Sequence, residues 1–194
     1  MRSVVCLVVC VLALLAVSGC ASPGLPEDPA RRAEIARDHV AEGVRLLARD
    51  EYEDARGAFE AAIEASPGSA AAWNNLGSTL QQQDRPAAAA RAYRRAAELQ
   101  PHRPEPLNNL GLVLEQAGRL DRAIHHYHQA LELDPDSPRV LGNLVRARVL
   151  RGDTGEDLRE QIDRLLQLDD RPEWAAWAQR QAIRLRPPES AETP

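Results

Sequence analysis

The sequence predicts an all-α solenoid of about 3.5 to 4 helix-turn-helix units plus a closing helix, and two observations carry that expectation. First, Pro67, Pro101 and Pro135 stand 34 residues apart, and the same spacing runs through Gly43/Gly77/Gly111, Ala55/Ala89/Ala123, Phe59/Tyr93/Tyr127 and Ala62/Ala96/Ala130. A period of that size marks stacked supersecondary units, each burying its apolar face on the next. Second, the residue types suit pairs of antiparallel helices. Glycine lets two backbones approach, small alanines sit where helices cross, an aromatic ring fills the space between, and proline ends the second helix of each unit.

Taken in order, Asp28 before Pro29 reads as an N-cap and first helical position, so the first helix starts upstream of the repeat frame. Helix pairs are expected at about 29–49 with 53–65, 70–83 with 87–99 and 104–117 with 121–133, with turns at Asp50, Asp84 and Gly118. Ser137 and Pro138 open a fourth unit that keeps Leu141, Leu144 and Gly152 but has Asp157 and Gln161 in the small and aromatic columns. Its second helix carries an amphipathic stripe of Leu158, Ile162, Leu165 and Leu166. A last helix from about Pro172 to Leu185 places Trp174, Trp177 and Ala178 on one side, as a cap for a final unit that would otherwise expose apolar surface. The units divide as 36–69, 70–103, 104–137 and a degenerate 138–168, within a repeat region of 29–168. A capping helix over 170–186 and a tail over 187–194 in which nothing argues for order complete the chain.

Trp73, Leu76, Gly77, Leu80, Ala89, Tyr93, Ala96 and Pro101 together resemble a tetratricopeptide repeat. Leu107, Leu110, Gly111, Leu114, Ala123, Tyr127, Ala130 and Pro135 repeat the pattern with leucine in place of the tryptophan. Gly43, Leu46, Ala55, Phe59, Ala62 and Pro67 keep it in the first unit, where His39 and Glu42 occupy columns usually apolar, as suits an end cap. The resemblance implies a TPR-type solenoid that acts as a protein-protein interaction scaffold rather than an enzyme.

Ahead of the repeats, Met1 and Arg2 precede an apolar run from Val4 to Val17. Fourteen such residues are too few for a spanning helix, which needs about 20, and the basic start reads as a secretory leader over 1–19. Val17, Ser18, Gly19 and Cys20 resemble a bacterial lipobox. That resemblance implies cleavage before Cys20, acylation of its thiol and new amino terminus, and residence on a membrane facing the cell envelope. Several acyl chains, at about 0.8 kcal/mol per buried CH₂, hold a protein where one is marginal. Cys6 and Cys10 leave with the leader, so Cys20 is the one cysteine of the mature chain and no disulfide forms within it. An ordinary leader cut elsewhere, or an uncleaved anchor, is the alternative. Residues 20–28 then form the lipidated cysteine and a flexible tether, and Ala21 after Cys20 is compatible with sorting to the outer membrane.

Composition excludes several functions. The net charge of −5 becomes −6 once Arg2 is removed with the leader, which argues against nucleic acid. All 24 basic residues are arginine, so lysine Schiff-base chemistry and a P-loop lysine are excluded. No cofactor is implied. His125, His126 and His128 offer a competing reading as a metal-dependent envelope enzyme, since an i, i+3 histidine pair can chelate from one helical face. No third ligand is evidently placed to complete such a site.

In the tetratricopeptide family the first helices of successive units line a groove. The resemblance places Ala71, Asn74, Asn75, Ser78, Gln81 and Gln82 there from unit two, and Glu105, Asn108, Asn109, Leu112, Glu115 and Gln116 from unit three. Unit four adds Arg139, Asn143 and Arg146, and unit one the apolar Val40, Val44 and Leu47; a carboxylate clamp would need lysine and asparagine in place of Val40 and Val44. Asn75, Asn109 and Asn143 share one column. Such amides either pair with the backbone of an extended peptide from an envelope partner, or face water and brace the next helix. The lipobox generates one expected outcome: a metabolic fatty-acid probe labels the wild-type chain and fails to label Cys20→Ala, whereas equal labelling of both contradicts acylation.

Overall fold

The computed structural model describes residues 28–169 and 171–185. The leader, Cys20 and the tether up to residue 27 lie outside the described residues, as does the tail over 187–194. Nine helices run through the described residues, with no strand among them. They are α1 (Pro29–Leu47), α2 (Tyr52–Ala65), α3 (Ala70–Gln82), α4 (Pro86–Leu99), α5 (Pro104–Gln116), α6 (Leu120–Leu133), α7 (Pro138–Arg151), α8 (Glu156–Leu168) and α9 (Pro172–Arg184). The architecture is an all-helical solenoid in which α1 packs on α2, α3 on α4 and α5 on α6, and each pair packs on the next.

The helices begin and end for local reasons. Asp28 accepts from the Ala30 amide at 3.0 Å and starts α1, which is 19 residues long and extends ahead of the repeat frame as expected. Within each unit the first helix closes on the same turn. Asp50, Asp84, Gly118 and Gly152, spaced 34 apart, adopt φ of 60°, 54°, 70° and 93°. The residue after each donates its amide to a carbonyl near the helix end: Glu51 to Leu46, Arg85 to Leu80, Arg119 to Leu114 and Asp153 to Arg148. This left-handed cap satisfies carbonyls that would otherwise lack partners. Glycine takes it without strain at Gly118 and Gly152, and aspartate is among the few other residues that tolerate it.

Packing explains the repeated columns. Phe59 and Tyr127 are fully buried and Tyr93 nearly so, and each ring lies against the glycine sixteen positions earlier. A Cβ built at Gly43, Gly77 or Gly111 would stand 2.6, 2.7 or 2.5 Å from the ring of Phe59, Tyr93 or Tyr127. No carbon fits there, so the glycine is a notch and the ring its occupant. Burying each ring contributes about 1.5–3 kcal/mol, and Ala55, Ala62, Ala89, Ala96, Ala123 and Ala130 are fully buried around them. At the amino-terminal end Arg32 of α1 donates to the carbonyls of Ala65 (2.9 Å) and Glu64 (3.3 Å), satisfying the end of α2.

The fourth unit solves the same problem with polar groups. Val145 stands in the glycine column and Gln161 in the aromatic one, so notch and ring are lost together. Arg148, in the column of Leu80 and Leu114, is buried and donates to Asp153 (2.8 Å), Gln161 (2.9 Å) and Asp157 (2.6 Å). Leu158, Ile162 and Leu165 bury the predicted stripe against Leu141, Val145 and Ala178, while Leu166 is half-buried. Pro172 follows Pro104 and Pro138 at the repeat period, so α9 occupies the place of a further first helix. Its Trp174 ring covers Gly142, where a Cβ would stand 3.1 Å away.

Two outcomes follow from this packing. Gly111→Ala lowers stability by about 1–3 kcal/mol in chemical denaturation, although alanine favours helix. Gly57→Ala, in the middle of α2 with nothing within 4 Å of a new Cβ, raises it by up to about 1 kcal/mol. Hydrogen bonds from Arg151 and then Arg148 hold the Asp153 carboxyl at about 2, below its ordinary 3.8. The folded value is the lower one, so this contribution is complete above about pH 4 and is lost as pH falls through 2. Acid titration of stability for Asp153→Asn against wild type shows a shallower loss in that window.

Candidate binding groove on the first helices

Hydrogen bonds between first helices define one continuous face. Asn143 of α7 donates from Nδ2 to Oδ1 of Asn108 on α5 at 2.8 Å, and Asn108 approaches Oδ1 of Asn109 at 3.5 Å. Asn109 in turn donates to Oδ1 of Asn74 on α3 at 3.1 Å. One turn or more along the same helices, Gln81 donates to Gln116 at 3.0 Å, and Arg146 holds both oxygens of Glu115 at 2.7 and 3.1 Å. Three first helices are therefore joined by side chains rather than by backbone.

This arrangement corrects the expectation for two residues. Asn108 and Asn143 are buried at 0% and 5% exposure and brace neighbouring helices, so neither amide is presented to a ligand. Their pairing joins positions 35 apart, one off the sequence period, because a helix side chain reaches a neighbouring helix at a height set by the stacking and not by the column. Asn74, Asn75, Ser78, Asn109 and Leu112 are half-buried on the face, Gln82, Gln116 and Arg139 are exposed, and Arg146 is half-buried in its pair with Glu115. Of the apolar end expected from unit one, Val44 is 47% exposed, while Val40 and Leu47 turn toward the core.

The rings of units two and three are tied to this face as well. Tyr127 donates its hydroxyl to Glu115 at 2.8 Å and Tyr93 to Gln81 at 3.3 Å, two equivalent positions. Burial pushes the Tyr93 phenol up to about 12, and burial reinforced by Glu115 pushes Tyr127 up as well, so both remain hydrogen-bond donors.

Two depressions open on the face. One of about 210 Å³ is lined by Ala71, Asn74, Asn75, Arg103 and Glu105. The other, about 230 Å³, is lined by Arg146, Glu173, Trp174 and Trp177. Trp174 meets Trp177 edge to face at 5.6 Å, and the guanidinium groups of Arg146 and Arg171 lie 5.7 and 5.5 Å from the Trp174 ring. The sequence favours cap packing over a ligand site for the two tryptophans. Trp174 does pack on Gly142, but the pair also closes one end of the face. The signal was available, since Trp177 continues the column of Asn75, Asn109 and Asn143 once the frame is carried past Pro172.

The histidine cluster is organised differently. His126 shares a hydrogen bond of 2.9 Å with Gln129, its ring lies 5.4 Å from that of His125, and burial lowers the pKa of His126 and His128. Among the described residues no three His, Cys, Asp or Glu side chains are gathered to hold a metal ion.

Two profiles of one family match this sequence, described as tetratricopeptide repeat, over residues 40–104 and 104–137. The chain belongs to the tetratricopeptide repeat family. A comparison with curated proteins finds no match. Among solved structures, this TPR chain is similar to PilF of Pseudomonas aeruginosa, with a TM-score of 0.67 and 24% identity over 80% of this chain and 73% of that one. It is similar to YrrB, a TPR protein with an unusual peptide-binding site, with a TM-score of 0.65 and 22% identity over 78% and 77%. It is also similar to the first TPR of Spaghetti (RPAP3) bound to an HSP90 peptide, with a TM-score of 0.60 and 17% identity over 62% and 96%. Identities this low establish the fold alone. No helix among the described residues is long and apolar enough to cross a membrane.

The ladder makes a direct prediction. Asn143→Ala strands the buried Asn108 oxygen and lowers stability by about 1–3 kcal/mol. Asn75→Ala, whose side chain makes no hydrogen bond among the described residues, changes it by less than about 0.5 kcal/mol. Chemical denaturation of the two variants side by side checks the difference.

Proposed function

We propose that this protein is a lipid-anchored TPR scaffold whose first-helix face holds an extended segment of another cell-envelope protein. The observation that carries the reading is the division of labour among the amides. The ladder from Asn143 to Asn74 fixes the floor, and Asn75, Ser78, Gln82 and Gln116 stay accessible above it. Amides and hydroxyls that both donate and accept suit a peptide backbone, and a floor already braced loses little entropy on binding. Apolar side chains stand at either end, Val44 on α1 and the Trp174/Trp177 pair on α9, as anchors for apolar groups of the same segment.

The peptide bound to the TPR of Spaghetti and the peptide-binding site of YrrB support the use of such a surface for chain segments. The anchor is supported by the lipobox-like run ending at Cys20, and residence at the outer membrane by Ala21. Small repeat lipoproteins resembling this chain in fold and anchor assist pilus or secretin assembly or recruit envelope enzymes, and one of those settings is the proposed context.

Photo-crosslinking residues placed one at a time at Asn75, Gln82 and Gln116, in native membranes, capture one common partner segment. The same residue at Gly57 or Glu98, on second helices, captures none. Equal capture from both sets of positions, or capture from the second set alone, contradicts the assignment of the face.

A further inference from the structure

A second surface, on the side of α4 and α6, is chemically unlike the groove. A depression of about 340 Å³ lies between these helices and the end of α5. Its floor is apolar, from Ala87, Ala90, Val113 and Leu114, and its rim is Arg94, Arg119 and Arg122. All three arginines are exposed, and none forms an ion pair or side-chain hydrogen bond among the described residues. Elsewhere on the same chain Arg56, Arg95, Arg146, Arg148 and Arg151 are each matched to a carboxylate.

The local backbone adds to the same charge. The starts of α4 and α6 carry arginine, Arg85 and Arg119, at the position where acidic or hydroxyl side chains are favoured, and no side chain caps either start. In α4 no acidic residue stands in the first turn, so the positive end of its helix dipole is left beside guanidinium groups, whereas the first turn of α6 carries Asp121, which pairs with Arg151 at 2.8 Å. His126 lies within reach of the same charges: partial burial lowers its pKa first, the Gln129 hydrogen bond opposes this, and the charges of His125, Arg122 and Arg94 lower it further. A protein of net charge −5 has concentrated uncompensated positive charge around an apolar hollow.

We propose that this cradle takes the phosphate head group of an anionic phospholipid, with the adjoining glycerol and upper acyl carbons on the apolar floor. The planar fork of arginine matches phosphate oxygens in pairs, which favours a phosphodiester over a diffuse negative surface. The source of the phosphate rests on the membrane anchor proposed above, which would hold the protein at a bilayer surface. The cradle itself does not depend on that anchor.

Backbone hydrogen exchange of the full-length protein, added to nanodiscs of phosphatidylcholine alone or with phosphatidylglycerol, tests this. Residues 86–90 and 119–122 exchange at least about fivefold more slowly on the anionic discs, residues 52–58 are unchanged, and a variant with Arg94→Gln, Arg119→Gln and Arg122→Gln shows no difference between discs. Equal exchange of the wild type on both discs overturns the proposal, as does slowing that survives in the variant. Slowing reproduced by inorganic phosphate on neutral discs also overturns it, since the site then takes a free anion. Retention on neutral discs is read separately and reports the anchor. A protein retained there without lipid-dependent slowing refutes the cradle alone, and one slowed on anionic discs but not retained on neutral ones supports the cradle and refutes the anchor.

Discussion

A ring pressed into a glycine notch, repeated at one spacing, is the constraint from which the rest of this molecule follows. Phe59 on Gly43, Tyr93 on Gly77 and Tyr127 on Gly111 fix how close the two helices of a unit come. That distance sets where the alanines meet, and the small buried alanines let the next pair approach in turn. Because Tyr93 and Tyr127 also reach Gln81 and Glu115, the same rings locate the polar side chains of the first-helix face. Packing and site are linked through one side chain in each of these units.

The fourth unit shows what happens when the notch is given up. With Val145 and Gln161 in place of glycine and ring, Arg148 enters the gap and gathers Asp153, Asp157 and Gln161 around it. A buried guanidinium so arranged is costly to break by removing one partner, though weak evidence of net stabilisation. The chain then closes with α9, whose Trp174 restores an aromatic-on-glycine contact at Gly142 by a different route.

Much of the fold was legible because proline and glycine act on the backbone locally and the aromatic column recurs at the same spacing. The turns at Asp50, Asp84 and Gly118, the helix starts at Pro29, Pro104 and Pro138, and the capping helix were all readable. The groove was legible only by column. Asn108 and Asn109 are neighbours in sequence, yet one is buried and the other half-exposed, and the pairing register of 35 depends on how the helices stack. The place of Trp177 on the face was hidden by unit four, whose lost small and aromatic columns concealed that the frame resumes at Pro172. The Arg148 network was invisible for a related reason: α8 starts at Glu156, two residues later than the period requires.

The account stands most directly on coupling between notch and ring, which a double-mutant cycle of Gly111→Ala with Tyr127→Leu measures. If the ring is what forbids a Cβ at residue 111, alanine there is harmless or favourable once Tyr127 is leucine, and the coupling energy exceeds about 1 kcal/mol. Strictly additive effects of the two substitutions would contradict it.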